Sequence, residues 1–155
     1  MAKQVQHKQA QQPLVARRRK ARHYALQAIY QWHMAGASPS AIEAEFRTDY
    51  DFAVVDLEYF QTLLAGVAAG ADELDRAFEP LLDRPIDELD PIERSLLRMG
   101  SLELRERIDV PYRVVINESV ALAKKFGATE SYKYINGVLD KLAHVFRQPE
   151  VAARS

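Results

Sequence analysis

Apolar residues recur at helical spacing along most of this chain, and no stretch alternates with period two. At 100° per residue, Ala21, Ala25, Ala28, Ile29 and Trp32 form one apolar stripe, which predicts a first helix from about Pro13 or Arg17 to Met34. Gly36 is a suitable left-handed stop, and Ser38-Pro39 caps and opens a short second helix to about Arg47 with Ile42 and Phe46 inward. Asp49 or Asp51 can cap a long third helix from about Phe52 to Glu79, with Val55, Tyr59, Leu63, Val67 and Leu74 inward and Pro80 ending it. Asp90-Pro91 opens a fourth through about Arg107, with Ile92, Leu96, Met99 and Leu102 or Leu104 inward. The next opens near Pro111, buries Val115, Leu122 and Phe126, and stops at Gly127. The last, about Ser131 to Phe146, carries Ile135, Val138, Leu139, Leu142 and Phe146 on one stripe. The predicted fold is all-α, six or seven helices in two packed helical bundles that divide near Pro85. Segments 17–84 and 85–148 are the two helical subdomains, between a disordered tail at 1–16 and a flexible one at 149–155.

Length is sufficient for a real core: 155 residues make one domain, or one domain in two halves. The absence of Cys removes disulfides, thiolate metal sites and thiol nucleophiles, and fits a cytoplasmic protein. No apolar run approaches a membrane span, and no secretory signal opens the chain. A formal net charge of −1 conceals a polarity along the sequence. Met1 to Ile42 holds seven Lys or Arg and no acid, whereas Asp49 to Arg94 holds thirteen acids against three bases. Such a chain suits a polyanion at its basic end and a basic protein at its acidic middle, although the acidic stretch also reads as a solubilising surface.

The basic end has a definite form. ARRRKARHYALQAIYQW runs four consecutive cations straight into the first helix. Arg19, His23, Leu26 and Tyr30 share a side distinct from the apolar stripe, in a row about 16 Å long at 1.5 Å per residue. Cations neutralise phosphates and an exposed aromatic ring offers a face to an unstacked base, so the row suits a nucleic-acid strand. The plainer alternatives are a solvated basic tail and a Tyr30 at the core boundary with a wet hydroxyl.

Catalytic chemistry is not written into the chain. His7, His23, His33 and His144 lack a metal-ligand spacing, and neither HExxH nor a Gly-rich phosphate loop occurs, so no metal, cofactor or catalytic residue is expected. Asn117 and Asn136 lie inside predicted helices, where interhelical hydrogen bonds are the expected role. Gly137 also sits mid-helix, where close approach of a neighbour is the usual reason for accepting a poor helix former.

PIERSLLRMGSLELRERIDVPYRVVINESVALAKKFG, followed by YKYINGVLDKLA, resembles the transcription antitermination factor NusB family, and ARRRKARHYALQAIYQW matches that family's N-terminal signature in register. The likeness covers roughly Arg17 to Ala143, its middle carried by pattern and by YFQTLLAGV. It implies an all-helical RNA-binding protein of the bacterial cytoplasm. It also implies two partners, the boxA element of single-stranded ribosomal RNA leader transcripts and NusE, the small ribosomal subunit protein, within an RNA polymerase antitermination complex. By motif position it implies RNA contacts at Arg18, Arg19, Lys20, Arg22 and Tyr30, and at Glu93, Lys133 and Tyr134. Family members often carry Phe where Tyr134 stands. Two other readings remain: a helical interaction scaffold without specific RNA recognition, and the NusB-like domain of certain RNA methyltransferases, which the missing Gly-rich cofactor loop disfavours.

Overall fold

Helices take up most of residues 13–153, the stretch that the computed structural model describes. Within it there are seven α-helices, two single 3-10 turns and no strand. They are α1 (Leu14–Ala35), α2 (Pro39–Asp49), α3 (Leu57–Phe78), α4 (Pro91–Glu106), α5 (Tyr112–Phe126), α6 (Ser131–Phe146) and α7 (Gln148–Ala153). The 3-10 turns, Glu79–Leu81 and Ile86–Glu88, lie between α3 and α4.

The chain divides into two compact units between Ala68 and Ala69, not near Pro85. Two local features account for the difference. Gly70 leaves helical backbone values inside α3, at φ −123° and ψ 22°. Beyond it, Asp75 is tied to Arg94 and Arg98 of α4, so the end of α3 belongs with the second unit.

In the first unit, α1 buries Ala21, Ala25, Leu26, Ala28 and Ile29, α2 buries Ile42 and Phe46, and α3 supplies Tyr59, Phe60, Leu63, Leu64 and Val67. Aromatic rings fill the space around the α2–α3 connection, with Phe52 edge-on to Phe60 at 5.1 Å and stacked on Tyr24 at 5.3 Å. Gly36 takes the left-handed conformation that ends α1, and Ser38 Oγ accepts from Ala41 N to cap α2. The third helix begins later than expected, at Leu57, and its cap is neither Asp49 nor Asp51. Asp56 accepts from Tyr59 N, while its own backbone N–H donates to Arg17 carbonyl oxygen at 3.1 Å, fixing the helix start against α1. Asp51 instead accepts from Ala53 N within the turn.

In the second unit, α4 is buried along almost its whole length and packs against α5 and α6. Gly100 permits this, because a Cβ there would lie 2.9 Å from both Leu139 methyl carbons. Asp90 and Glu93 form a capping box at the start of α4, as the Asp-Pro start implies. Gly127 stops α5 in an extended rather than a left-handed conformation, and a Cβ there would sit 2.7 Å from Ala123 carbonyl oxygen. The segment expected to be a flexible tail from 149 is the helix α7 up to Ala153, with Val151 buried. Of the expected tail at 1–16, Leu14 to Ala16 are helical, and 1–12 lie outside the described residues. Trp32, Ile92, Phe126 and Phe146, expected inward, are half-buried.

Candidate nucleic-acid interface

The expected contact residues fall into two groups, one on each unit. On α1 of the first unit, Arg19 and Lys20 are exposed and Arg18 is half-buried, lying 3.6 Å from Asp56 and 4.7 Å over the Tyr59 ring. Arg22 is different in kind. It is 4% exposed, donates to Tyr59 Oη at 3.3 Å and lies over the same ring, so it braces α1 against α3. Of the row Arg19, His23, Leu26 and Tyr30, Leu26 is 1% exposed and belongs to the core. Tyr30 is half-buried one turn further on.

The second group gathers around the start of α6. Its preceding residue, Glu130, takes a left-handed conformation at φ 73°, unusual for a side chain with a Cβ, and pairs with Lys133. Glu93 is buried and acts inside the protein: it completes the capping box of α4 and accepts from Ser131 Oγ at 2.8 Å. Through that bond Glu93 is joined to the first turn of α6, the helix that carries Lys133 and Tyr134. Lys133 is exposed. Tyr134 is half-buried with its hydroxyl enclosed, and burial, helped by the neighbouring Asp83 carboxylate, raises its pKa above the ordinary tyrosine value.

Sequence patterns do not single out the groups around these two. The Arg84 guanidinium lies over the Tyr134 ring at 4.2 Å from its centroid and donates to Asp83 Oδ1 at 2.9 Å. Lys124, at the end of α5, lies 4.8 Å over the Tyr132 ring. The carriers of these charges sit in an inter-helix turn and in a helix-ending KKFG, neither of which has the run of cations that marks the N-terminal group.

Asn117 and Asn136 are exposed rather than bonded between helices, and line a shallow groove with Tyr112, Arg113, Ile116 and Asp140. A Cβ at Gly137 would meet nothing within 4 Å, so no neighbour among the described residues explains this glycine. Among the described residues, no cluster of His, Cys, Asp or Glu could hold a metal ion, and no helix is long and apolar enough to cross a membrane.

The arrangement offers exposed cations on both units and cation-bearing aromatic rings on the second, which are the elements of phosphate neutralisation and base stacking. Comparison with known proteins agrees. The chain is 57% identical to the transcription antitermination protein NusB of Hahella chejuensis over 137 residues, spanning 88% of this chain and 92% of that protein. A crystal structure of the antitermination factors NusB and NusE in complex with dsRNA matches at TM-score 0.71 and 27% identity, over 83% of this chain and 96% of that one. The fold of T. maritima NusB matches at TM-score 0.74 and 22% identity, over 91% of this chain and 99% of that one. With the model of the NusB family matching residues 19–144, the chain belongs to the NusB family.

Proposed function

We propose that this chain is an RNA-binding transcription antitermination factor that binds boxA of ribosomal RNA leader transcripts together with NusE, in the RNA polymerase antitermination complex of a bacterial cytoplasm. It is a binding protein with no chemistry of its own. The observation that carries the reading is the pair of exposed cations at the start of α1, Arg19 and Lys20, in a chain that also exposes Lys133 on α6. Arg18 and Tyr30 extend the first group, and Glu93 holds the second in place through Ser131. A basic partner supplies what this chain lacks, because much of its middle segment is acidic and repels phosphate.

The test is a titration of boxA-type single-stranded RNA against a scrambled strand and against duplex RNA, each with NusE absent and saturating. Preferential binding of the boxA strand is expected, with NusE tightening it about 5- to 150-fold, equivalent to about 1–3 kcal/mol of coupling. Linkage requires RNA to tighten NusE binding by the same factor. Within that assay Tyr30→Ala should weaken RNA binding by about 1–3 kcal/mol while Tyr30→Phe changes little. Equal affinity for the boxA and scrambled strands, with NusE still bound, would leave only an interaction scaffold.

A further inference from the structure

We infer that Arg84 is an RNA-contacting residue, and that the outer face of its guanidinium, not the covered face of Tyr134, receives an unpaired base in the second unit. The inference rests on the RNA-binding reading above and adds a residue to it. The Arg84 guanidinium carbon stands 4.2 Å from the Tyr134 ring centroid. A base inserted between them would need contact distance on both sides, roughly 7 Å at about 3.5 Å per contact. The ring face under Arg84 is therefore closed to a base as it stands.

Opening that face would cost the cation–ring contact and disturb the 2.9 Å bond to Asp83. Stacking outside it costs neither. Arginine guanidinium planes are themselves platforms for unstacked bases, and a plane already held by a ring and a carboxylate loses little freedom on binding. The Arg84 side chain is 38% accessible, so it has surface left to present. Tyr134 cannot easily turn away, because its hydroxyl is enclosed.

The experiment measures affinity for boxA-type single-stranded RNA at several salt concentrations with the full chain and with the Arg84→Ala, Arg84→Lys and Tyr134→Ala variants. Arg84→Ala is expected to weaken binding by at least about fivefold, the lower end for one base stacked on a side chain. Arg84→Lys keeps the charge and the salt dependence but loses the plane, and is expected to weaken binding nearly as much. Unchanged affinity for both Arg84 variants, with Tyr134→Ala weakened, would put the base on another face of the ring and overturn the inference. Tighter binding by Arg84→Ala would show that the guanidinium obstructs the ring, and would overturn it too. If the unaltered chain fails to bind this RNA, the RNA-binding reading falls instead. Circular dichroism of each variant separates these outcomes from loss of fold: should Arg84→Ala unfold, Arg84→Lys alone decides.

Discussion

Asp75 is a carboxylate held by two arginines. It accepts from Arg98 Nε at 2.8 Å and Nη2 at 2.7 Å, and from Arg94 Nη2 at 2.9 Å. Burial alone would raise its pKa, but the hydrogen bonds and charges of Arg98 and Arg94 together outweigh that and hold it below the ordinary aspartate value. A carboxylate depressed in the fold contributes stability that is complete above its unfolded pKa and is lost as pH falls through the folded value. The expected outcome is that Asp75→Asn, which removes the carboxylate charge facing buried Arg98, loses about 3–5 kcal/mol of stability at pH 7 in urea unfolding. The gap between the two proteins should stay constant from about pH 5 to 8 and close below about pH 4. In sequence, Asp75 is one of thirteen acids in a segment that reads as a docking or solubilising surface, and nothing in its spacing sets it apart. Structure consumes part of that segment internally, at Asp56, Asp75, Asp90 and Glu93. Gly137 is the opposite case, since the space around it is open and its helical backbone suits Ala. Gly137→Ala should raise stability by about 0.8–1 kcal/mol, or about 2–4 °C in thermal melting; a lower melting temperature would refute that.

Among the elements, the expected starts and ends lie close to the observed ones except at the start of α3. Ser38-Pro39 and Asp90-Pro91 combine a side-chain acceptor with a proline that needs no N–H partner, a signal that depends only on neighbouring residues. The start of α3 is harder to read because three aspartates lie within eight residues, and the choice among them is made by Arg17, far away in sequence. The end of α4 falls at Glu106, beside the expected Arg107, but what holds it is not visible in spacing. Arg147, 3% exposed, donates to the carbonyl oxygens of Glu103, Leu104, Arg107 and Val110 at 2.6–3.2 Å, and to Glu150 at 2.8 Å. It thereby gives a donor to the Leu104 and Val110 carbonyls and a second donor to those of Glu103 and Arg107, which already accept from Arg107 N and Val110 N, and it fastens α7 to the end of α4. Removing the guanidinium strands the Leu104 and Val110 carbonyls at about 1–3 kcal/mol each. Arg147→Ala is expected to lose at least about 2 kcal/mol, and Arg147→Lys to recover little, because one ammonium cannot reproduce a planar fork of donors. Urea unfolding of both variants checks this, and a lysine variant as stable as the original would place the effect in charge rather than geometry.

At the scale of the whole molecule, the net charge of −1 says little, and the distribution decides how an anionic strand is met. The basic run is legible as a run, but its residues differ in exposure, which the run itself does not show. Arg19 and Lys20 face solvent, Arg18 is shared with Asp56 and Tyr59, and Arg22 is interior. Counterion release makes the division measurable, since each neutralised phosphate of a single strand contributes roughly −0.7 to the slope of log affinity against log salt. Replacing Arg19 and Lys20 together by Ala should flatten that slope by about 1.4, with stability within about 0.5 kcal/mol of the original because both side chains are exposed. Replacing Arg22 by Ala should do the reverse. The slope should hold, while stability falls by about 1–3 kcal/mol from the lost bond to Tyr59 Oη and the contact with its ring. If the Arg22 variant instead flattens the slope and keeps its stability, the side chain leaves the interior to meet phosphate, and the four-cation run acts as one electrostatic unit.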